Sequence, residues 1–201
     1  TLSMGRVPDS SEQRKVAVHA ELSSVRHAPH SIPPEDHKQK PRGSAHQVAS
    51  VRYFVYAELC GNGEIVARVD QVDGNGFAGI MMRNSEAADD PKVAIASNLV
   101  NAIRKEIRVL TGYPAYPQNA VGFDRSWLKL IRNGNQFIGQ ASTDGINWQT
   151  YISQAVMMSN DCILVGMYTS SEINGGAVTA QFDQVTITEY VSNISSDEIN
   201  I

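Results

Sequence analysis

WLKLIRNGNQFIGQASTDGINW, residues 127–148, is the stretch from which the fold is read. Asn133-Gly134 is the strongest short hairpin signal in the chain, because a type I′ turn needs positive φ at both central positions. Closing that turn between Arg132 and Asn135 sets Leu130 opposite Phe137, Lys129 opposite Ile138 and Leu128 opposite Gly139. Directly paired residues share a sheet face, so Leu128, Leu130, Phe137, Gly139 and Ala141 form a core side. Asp144-Gly145 predicts a second two-residue turn that pairs Ala141 with Trp148. The large indole then lies in the core, where the small residues Gly139 and Ala141 leave room for it. Trp127 falls on the opposite face with Lys129 and Ile138. The stretch reads as a three-stranded meander.

Working outward, the rest of the chain from Val51 has the same punctuation. Short runs rich in Val, Ile, Tyr and Phe alternate with Gly, Asn and Asp turns at the spacing expected of a sandwich or barrel. Asp73-Gly74-Asn75-Gly76 is one such turn. Residues 98–110, NLVNAIRKEIRVL, place Leu99, Ile103, Ile107 and Leu110 on one helical face. Glu106 to Leu110 also alternates as a strand does, and strand is the reading adopted. The fold class is all-β: a jelly-roll-like antiparallel sandwich with Leu128, Leu130, Phe137, Trp148, Val165 and Phe182 buried.

The chain divides near residue 48. Residues 1–50 hold no aromatic residue, five of the eight prolines and all five histidines. Such a segment buries too little apolar surface to offset its own ordering entropy. Residues 1–47 are therefore read as an irregular N-terminal arm that lends a strand to a sheet edge, through Val16-Ala17-Val18 or Leu22 to Val25. Residues 48–190 form the sandwich, and 191–201 a polar tail or linker. The net charge is −4, with a pI near 5.7, which argues against a general nucleic-acid binder. No apolar run approaches the 18 or so residues of a membrane span. The opening residues carry no signal peptide.

Cys60 and Cys162 show no CxxC spacing, so a structural zinc site is not indicated. One disulfide and two buried free thiols are the two alternatives.

The meander, with STDGINW closing it, resembles the concanavalin-A-like jelly-roll domains of the regulation-of-enolase-like family, whose function is largely unknown. Other blocks are similar to that family in order: FVYAELCGNGEIVARV (Phe54 to Val69), AGIMMR (Ala78 to Arg83), VGMYTSS (Val165 to Ser171) and AQFDQVTI (Ala180 to Ile187). Together they cover about 140 residues. The resemblance implies a sandwich of the concanavalin A-like lectin and glucanase type and leaves activity open, since one fold hosts many functions. Two positions depart from the family pattern. Gly61-Asn62-Gly63 stands where Gly-Asp-Gly is common, and Gly76 and Phe77 stand where a Trp and a Lys are usual. YVSNISSDEINI at the C-terminus resembles the linkers that precede sorting domains of type IX secretion.

The ligand-binding candidates are Tyr113 and Tyr116, set between prolines in a stiff loop that presents rings at low entropic cost, and Trp127 on its outer sheet face. His19, His27, His30, His37 and His46 fit no metal-ligand spacing. Glu64, Asp70, Asp73 and Asn75 are oxygen donors for a calcium ion, but the remaining EF-hand positions are absent, so no cofactor is predicted. Glycoside hydrolysis needs two carboxyl groups about 5–9.5 Å apart. Asp183 and Glu189 are six residues apart on one strand, about 20 Å at the usual rise. There is no GxSxG, and neither cysteine has a neighbouring His. The expectation is a non-catalytic module, extracellular or at the cell surface, that binds a glycan or another surface protein. A self-associating structural subunit is the alternative, and a glycan-active enzyme the third reading.

Overall fold

A computed structural model describes residues 52–173 and 176–190, and residues 16–23 as backbone. Its strands are β1 (Val16–Ser23), β2 (Arg52–Cys60), β3 (Asn62–Asp73), β4 (Gly76–Arg83), β5 (Lys92–Ser97), β6 (Ala102–Arg108), β7 (Tyr116–Val121), β8 (Trp127–Asn133), β9 (Gln136–Ser142), β10 (Gln149–Ala155), β11 (Cys162–Ser171) and β12 (Thr179–Tyr190). They form two antiparallel six-stranded sheets, ordered β1-β12-β3-β8-β9-β10 and β2-β11-β4-β5-β6-β7. There is no helix among the described residues. The chain is an all-β, jelly-roll-like antiparallel sandwich; the strand reading of residues 98–110 holds over 102–108, and Val109 and Leu110 lie past the strand's end.

Two meanders, β4 to β7 and β8 to β10, make the local half of this topology. The other half is non-local: β11 inserts between β2 and β4, and β12 between β1 and β3. Alternation then sends one set of side chains inward from every central strand. Ile65, Ala67, Val69, Leu128, Leu130, Phe137 and Phe182 from the first sheet meet Ile80, Met82, Val93, Ile95, Val165 and Met167 from the second, all buried. β1 pairs antiparallel with β12, Val16 opposite Ile187 and Ser23 opposite Thr179.

The meander of residues 127–148 departs from the sequence reading in two ways. Asn133 pairs with Gln136, so the β8–β9 turn is centred on Gly134-Asn135. Gly134 has φ +58°, while Asn135 is not among the positive-φ residues. Positive φ at the first central position alone is the pattern of a type II′ turn, not type I′. Moving the turn by one residue moves the pairing by two: Leu130 faces Gly139 and Leu128 faces Ala141. A shift of two keeps every side chain on its face, so Leu128, Leu130, Phe137 and Ala141 are buried as predicted.

The second turn is where the reading fails. Asp144-Gly145 is not a two-residue hairpin. Gln149 pairs with Ala141, and the register shifts again between Thr150 and Ile152. The Asp144 carboxylate accepts from the backbone amides of Ile146 and Asn147, both at 2.8 Å, from Ser142 Oγ at 2.8 Å and from Asn147 Nδ2 at 2.7 Å. These bonds build a longer, side-chain-capped loop. They also hold the Asp144 carboxyl well below the usual carboxylate range. The one-residue change in register turns Trp148 out of the core. It is half-buried, with Lys129 Nζ 4.2 Å above its ring. Ile152 takes the space over Gly139 instead: a Cβ on that glycine would stand 2.8 Å from Ile152 Cδ1.

Cys60 and Cys162 are paired in register between β2 and β11, and their sulfurs are bonded. Around them, Asn62 Oδ1 accepts from the Gly134 amide at 2.6 Å, and the Gly61 amide donates to Asp161 O at 3.1 Å. Arg132 donates to the carbonyls of Gly134, Asp161 and Asn160, and burial lowers its pKa from the ordinary arginine value.

Two stability predictions follow from this end of the molecule. Gly134→Val forces a β-branched residue to positive φ with nothing within 4 Å to compensate, a loss of about 1–2 kcal/mol. An unshifted urea midpoint would contradict the turn. Cys60→Ser with Cys162→Ser opens a closure of 102 residues, for which chain entropy gives up to about 4.7 kcal/mol. Thermal unfolding with and without reductant should separate by the same sign.

Candidate functional site

The outer face of the second sheet should be polar by simple alternation, because its inner face already supplies the core. It is not. Phe77, Met81, Ala94, Ala96 and Tyr168 form a second buried cluster there, with Phe54 and Ala102 packed against it. The strand register lays this face out in rows. One runs Phe54, Tyr168, Gly79, Ala96, Arg104, Asn119, and the next Tyr56, Gly166, Met81, Ala94, Glu106, Pro117. A third runs Glu58, Leu164, Arg83, Lys92, Arg108. Small residues thus make a floor in the middle strands. Phe54, Tyr56 and Tyr168 lie on β2 and β11, with Phe77 on the neighbouring β4, and most of the charged residues lie on β4, β5 and β6. Gly79 and Gly166 are required by close approach: a Cβ would come within 2.1 Å of Ile95 O and 2.0 Å of Val55 O.

The charges are arranged in pairs. Lys92 Nζ lies 2.7 Å from Glu106 Oε1, with side chains only 6% and 1% exposed. Arg104 Nε donates to Asn119 Oδ1 at 3.0 Å, its terminal nitrogen donates to the Glu172 carboxylate, and its guanidinium stands 3.9 Å over the Phe77 ring. A nearly buried Lys–Glu pair is weak evidence for stability, since desolvation offsets most of the attraction. The pair stands on the outer face of the sheet, away from the inner layer that supplies the main core.

One end of the face is closed by residues 84–91 and 109–115. Asp90 is their hub. It accepts from Ser85 Oγ at 2.5 Å, Asn84 Nδ2 at 3.1 Å and Thr111 Oγ1 at 3.2 Å. Hydrogen bonds from Ser85 and Asn84 are the main reason its pKa is lowered from the ordinary Asp value. Asn84 in turn accepts from the Asn160 amide at 3.0 Å. At the rim, the Phe54 and Tyr56 rings stack at 5.1 Å. Tyr56 is 42% exposed, and its hydroxyl donates to Glu86, a bond that raises the phenol pKa.

The three ligand-binding candidates named from the sequence do not converge. Tyr113 is 57% exposed and its carbonyl accepts from Arg108 Nε at 2.7 Å, which places it at the looped end of this face. Tyr116 is the first residue of β7, 69% exposed, on a cleft at the sandwich margin. Trp127 is half-buried on the first sheet, its ring against Gly145. Three of the four calcium candidates are engaged by the protein itself: Asp70 with Arg68 at 2.8 Å, Asp73 with Gln71 at 2.7 Å, and Glu64 with the Tyr190 hydroxyl at 2.7 Å. No group of three His, Cys, Asp or Glu side chains fit to hold a metal occurs among the described residues. His27, His30, His37 and His46 lie outside them.

Sequence reasoning overlooked Lys92, Arg104, Glu106 and the Phe54–Tyr56 stack. A signal for part of it is present. Arg104, Glu106 and Arg108 recur at period two beside the apolar Ile103 and Ile107, so once that segment is strand they share one face.

Lys92→Ala removes the ammonium partner of a carboxylate that is 1% exposed, and stability should fall by about 3–5 kcal/mol. Chemical denaturation measures it, and a loss inside the error would mean the pair is solvated. Asp90 adds a pH dependence. A carboxyl with a depressed folded pKa contributes stability that is present above its unfolded value, about 3.9, and is lost as pH falls through the folded value. Asp90→Asn should therefore flatten the acid limb of a Tm-against-pH curve below about pH 4. An unaltered limb would refute that role.

No family model and no curated protein matches the chain. Among solved structures, it is similar to a functionally unknown protein from Saccharomyces cerevisiae, with 20% identity over 69% of this chain and 75% of that one, at a TM-score of 0.54. Others include the β-glucanase of Bacillus licheniformis, with 7% identity over 74% and 82% and a TM-score of 0.44. A prokaryotic β-1,3-1,4-glucanase (lichenase) from a mouse hindgut metagenome has 7% identity over 70% and 71%, at a TM-score of 0.43. At 20% identity the likeness to the yeast protein is one of fold.

Proposed function

We propose that the chain is a non-catalytic binding module of the regulation-of-enolase-like kind, exported to the cell exterior, and that its ligand is a glycan held at the exposed rim of the second sheet's outer face, around Tyr56. The observation that carries the reading is the Phe54–Tyr56 stack, whose Tyr56 ring is 42% exposed at the rim of the face, near the half-buried Arg83 and the exposed Glu86. Sugars combine apolar ring faces with a periphery of hydroxyls, and a platform edged by charged donors and acceptors suits both. Glu86, fixed by Tyr56, and Arg83, which donates to the carbonyls of Glu86 and Ala87, form the polar edge.

Binding is favoured over hydrolysis because Glu106 is engaged by Lys92 at 2.7 Å. Glycoside cleavage would need a second carboxyl group about 5–9.5 Å from the first, free to exchange protons. The Cys60–Cys162 bond supports an oxidising compartment.

A glycan array probed with the wild-type protein and with Tyr56→Ala tests the reading. Tyr56 is well exposed, so the variant should fold normally and bind about tenfold or more weakly, as losing one stacked ring implies. Undiminished binding by Tyr56→Ala would move the site elsewhere, and a wild-type protein that retains no glycan would remove the ligand class.

A further inference from the structure

The side of the sandwich formed by β7 and β10 carries a second feature, separate from the outer face of β4 to β6. A cleft of about 350 Å³ lies there, lined by Lys105, Ile107 and Val109, by Tyr116 and Gln118, and by Tyr151 to Gln154. The pattern of the lining is informative. Lys105, Ile107 and Val109 alternate, as do Tyr116 and Gln118, so the second sheet contributes side chains from one face. From β10, four consecutive residues line the cleft. Successive side chains of a strand point to opposite faces, so four in a row fit a strand that borders the space with its edge, at the irregularity beside Tyr151.

That edge is unoccupied by any strand among the described residues. β10 is last in its sheet and pairs only with β9, and β7 is last in the other. The shift in register between Thr150 and Ile152 leaves Tyr151 out of the ladder. Its hydroxyl donates to Val121 O, at the far end of β7, at 3.2 Å, and closes one end of the cleft. An open row of backbone donors and acceptors thus runs beside Ile107, Val109, Tyr116 and Ile152. Lys105 is the one charged residue of the lining, and no carboxylate pairs with it among the described residues.

We propose that β10 accepts an extended peptide from a partner protein as an added strand. The apolar side chains of that peptide, at alternate positions, enter the cleft, and an acidic group meets Lys105. Strand addition explains the backbone-edge lining, which a ligand held by side chains alone does not require. The apolar part of the lining selects alternate residues, and the Lys105 ammonium sets the charge of the occupant. The volume accommodates two or three side chains, the reach of the edge from Ile152 to Ala155.

The test uses a fluorescein-labelled hexapeptide, Thr-Val-Ser-Val-Thr-Glu, whose valines and glutamate share one face when extended. Fluorescence anisotropy should show saturable binding to the whole chain. N-methylation of alternate backbone nitrogens, which removes donors and keeps the side chains, should weaken it about tenfold or more. Val109→Arg, at a position 38% exposed, should weaken it comparably without lowering Tm. Lys105→Gln should erase the preference for the probe over its Glu→Lys counterpart. Equal affinity for the N-methylated probe would overturn strand addition. So would no binding up to about 1 mM probe, displacement by a neutral disaccharide, or a mass that doubles with concentration in the absence of peptide. Tyr56→Ala should leave peptide binding intact, so failure here and failure of the glycan reading are told apart.

Discussion

Everything in this molecule depends on one apolar layer shared by two sheets. Each central strand commits alternate side chains to it, and a slip of one residue would export a whole face. That constraint explains why the β8–β9 turn can sit one residue away from its strongest sequence signal at little cost. The consequent shift in pairing is two, which the layer does not register. It also explains why the β9–β10 connection is unforgiving. There the change is one, and the residue that enters the core is Ile152 and not Trp148.

The layer has a consequence for the second sheet, whose opposite face is also buried. A sheet covered on both sides reads as near-continuous apolar runs, and β4 and β5 have nearly every residue buried. Charged groups persist within that second buried surface, where Lys92 and Glu106 pair and Arg104 is held by Asn119, Glu172 and the Phe77 ring. Hydrophobic replacements of similar volume would serve stability as well. Their presence, together with the exposed Tyr56 ring at the rim, separates this face from the rest of the sandwich.

Stability and site meet at one end. The Cys60–Cys162 bond fixes the start of β11, and Asp161 beside it accepts from Gly61 and Arg132. The neighbouring Asn160 binds Asn84, Asn84 binds Asp90, and Asp90 binds Ser85 and Thr111. A chain of hydrogen bonds therefore runs from the covalent link to the loops that carry Glu86 and Tyr113. Polar side chains in such networks hold loop backbone that has no ladder to join.

Alternation and turn chemistry, which are local, are legible in the residues themselves. The strands, the sandwich and most of the inner face follow from them, because period two is written along the chain. Trp148 could not be placed in that way. Its face was decided by the Asp144 carboxylate capping a longer loop and by the shifted register after Thr150, a competition between turn types that Asp-Gly alone does not settle. Tyr113 and Tyr116, three positions apart and each followed by a proline, part company because only one of them enters a strand. The candidate face was less legible still. Phe54, Gly79, Ala96 and Arg104 come from four strands spread over 51 positions of the chain, and their row exists only once β11 lies between β2 and β4. The sequence by itself determined which residues alternate and where the chain turns. The tertiary structure decided which strands became neighbours, because non-local pairing is set by the fit of whole faces and no short segment encodes it.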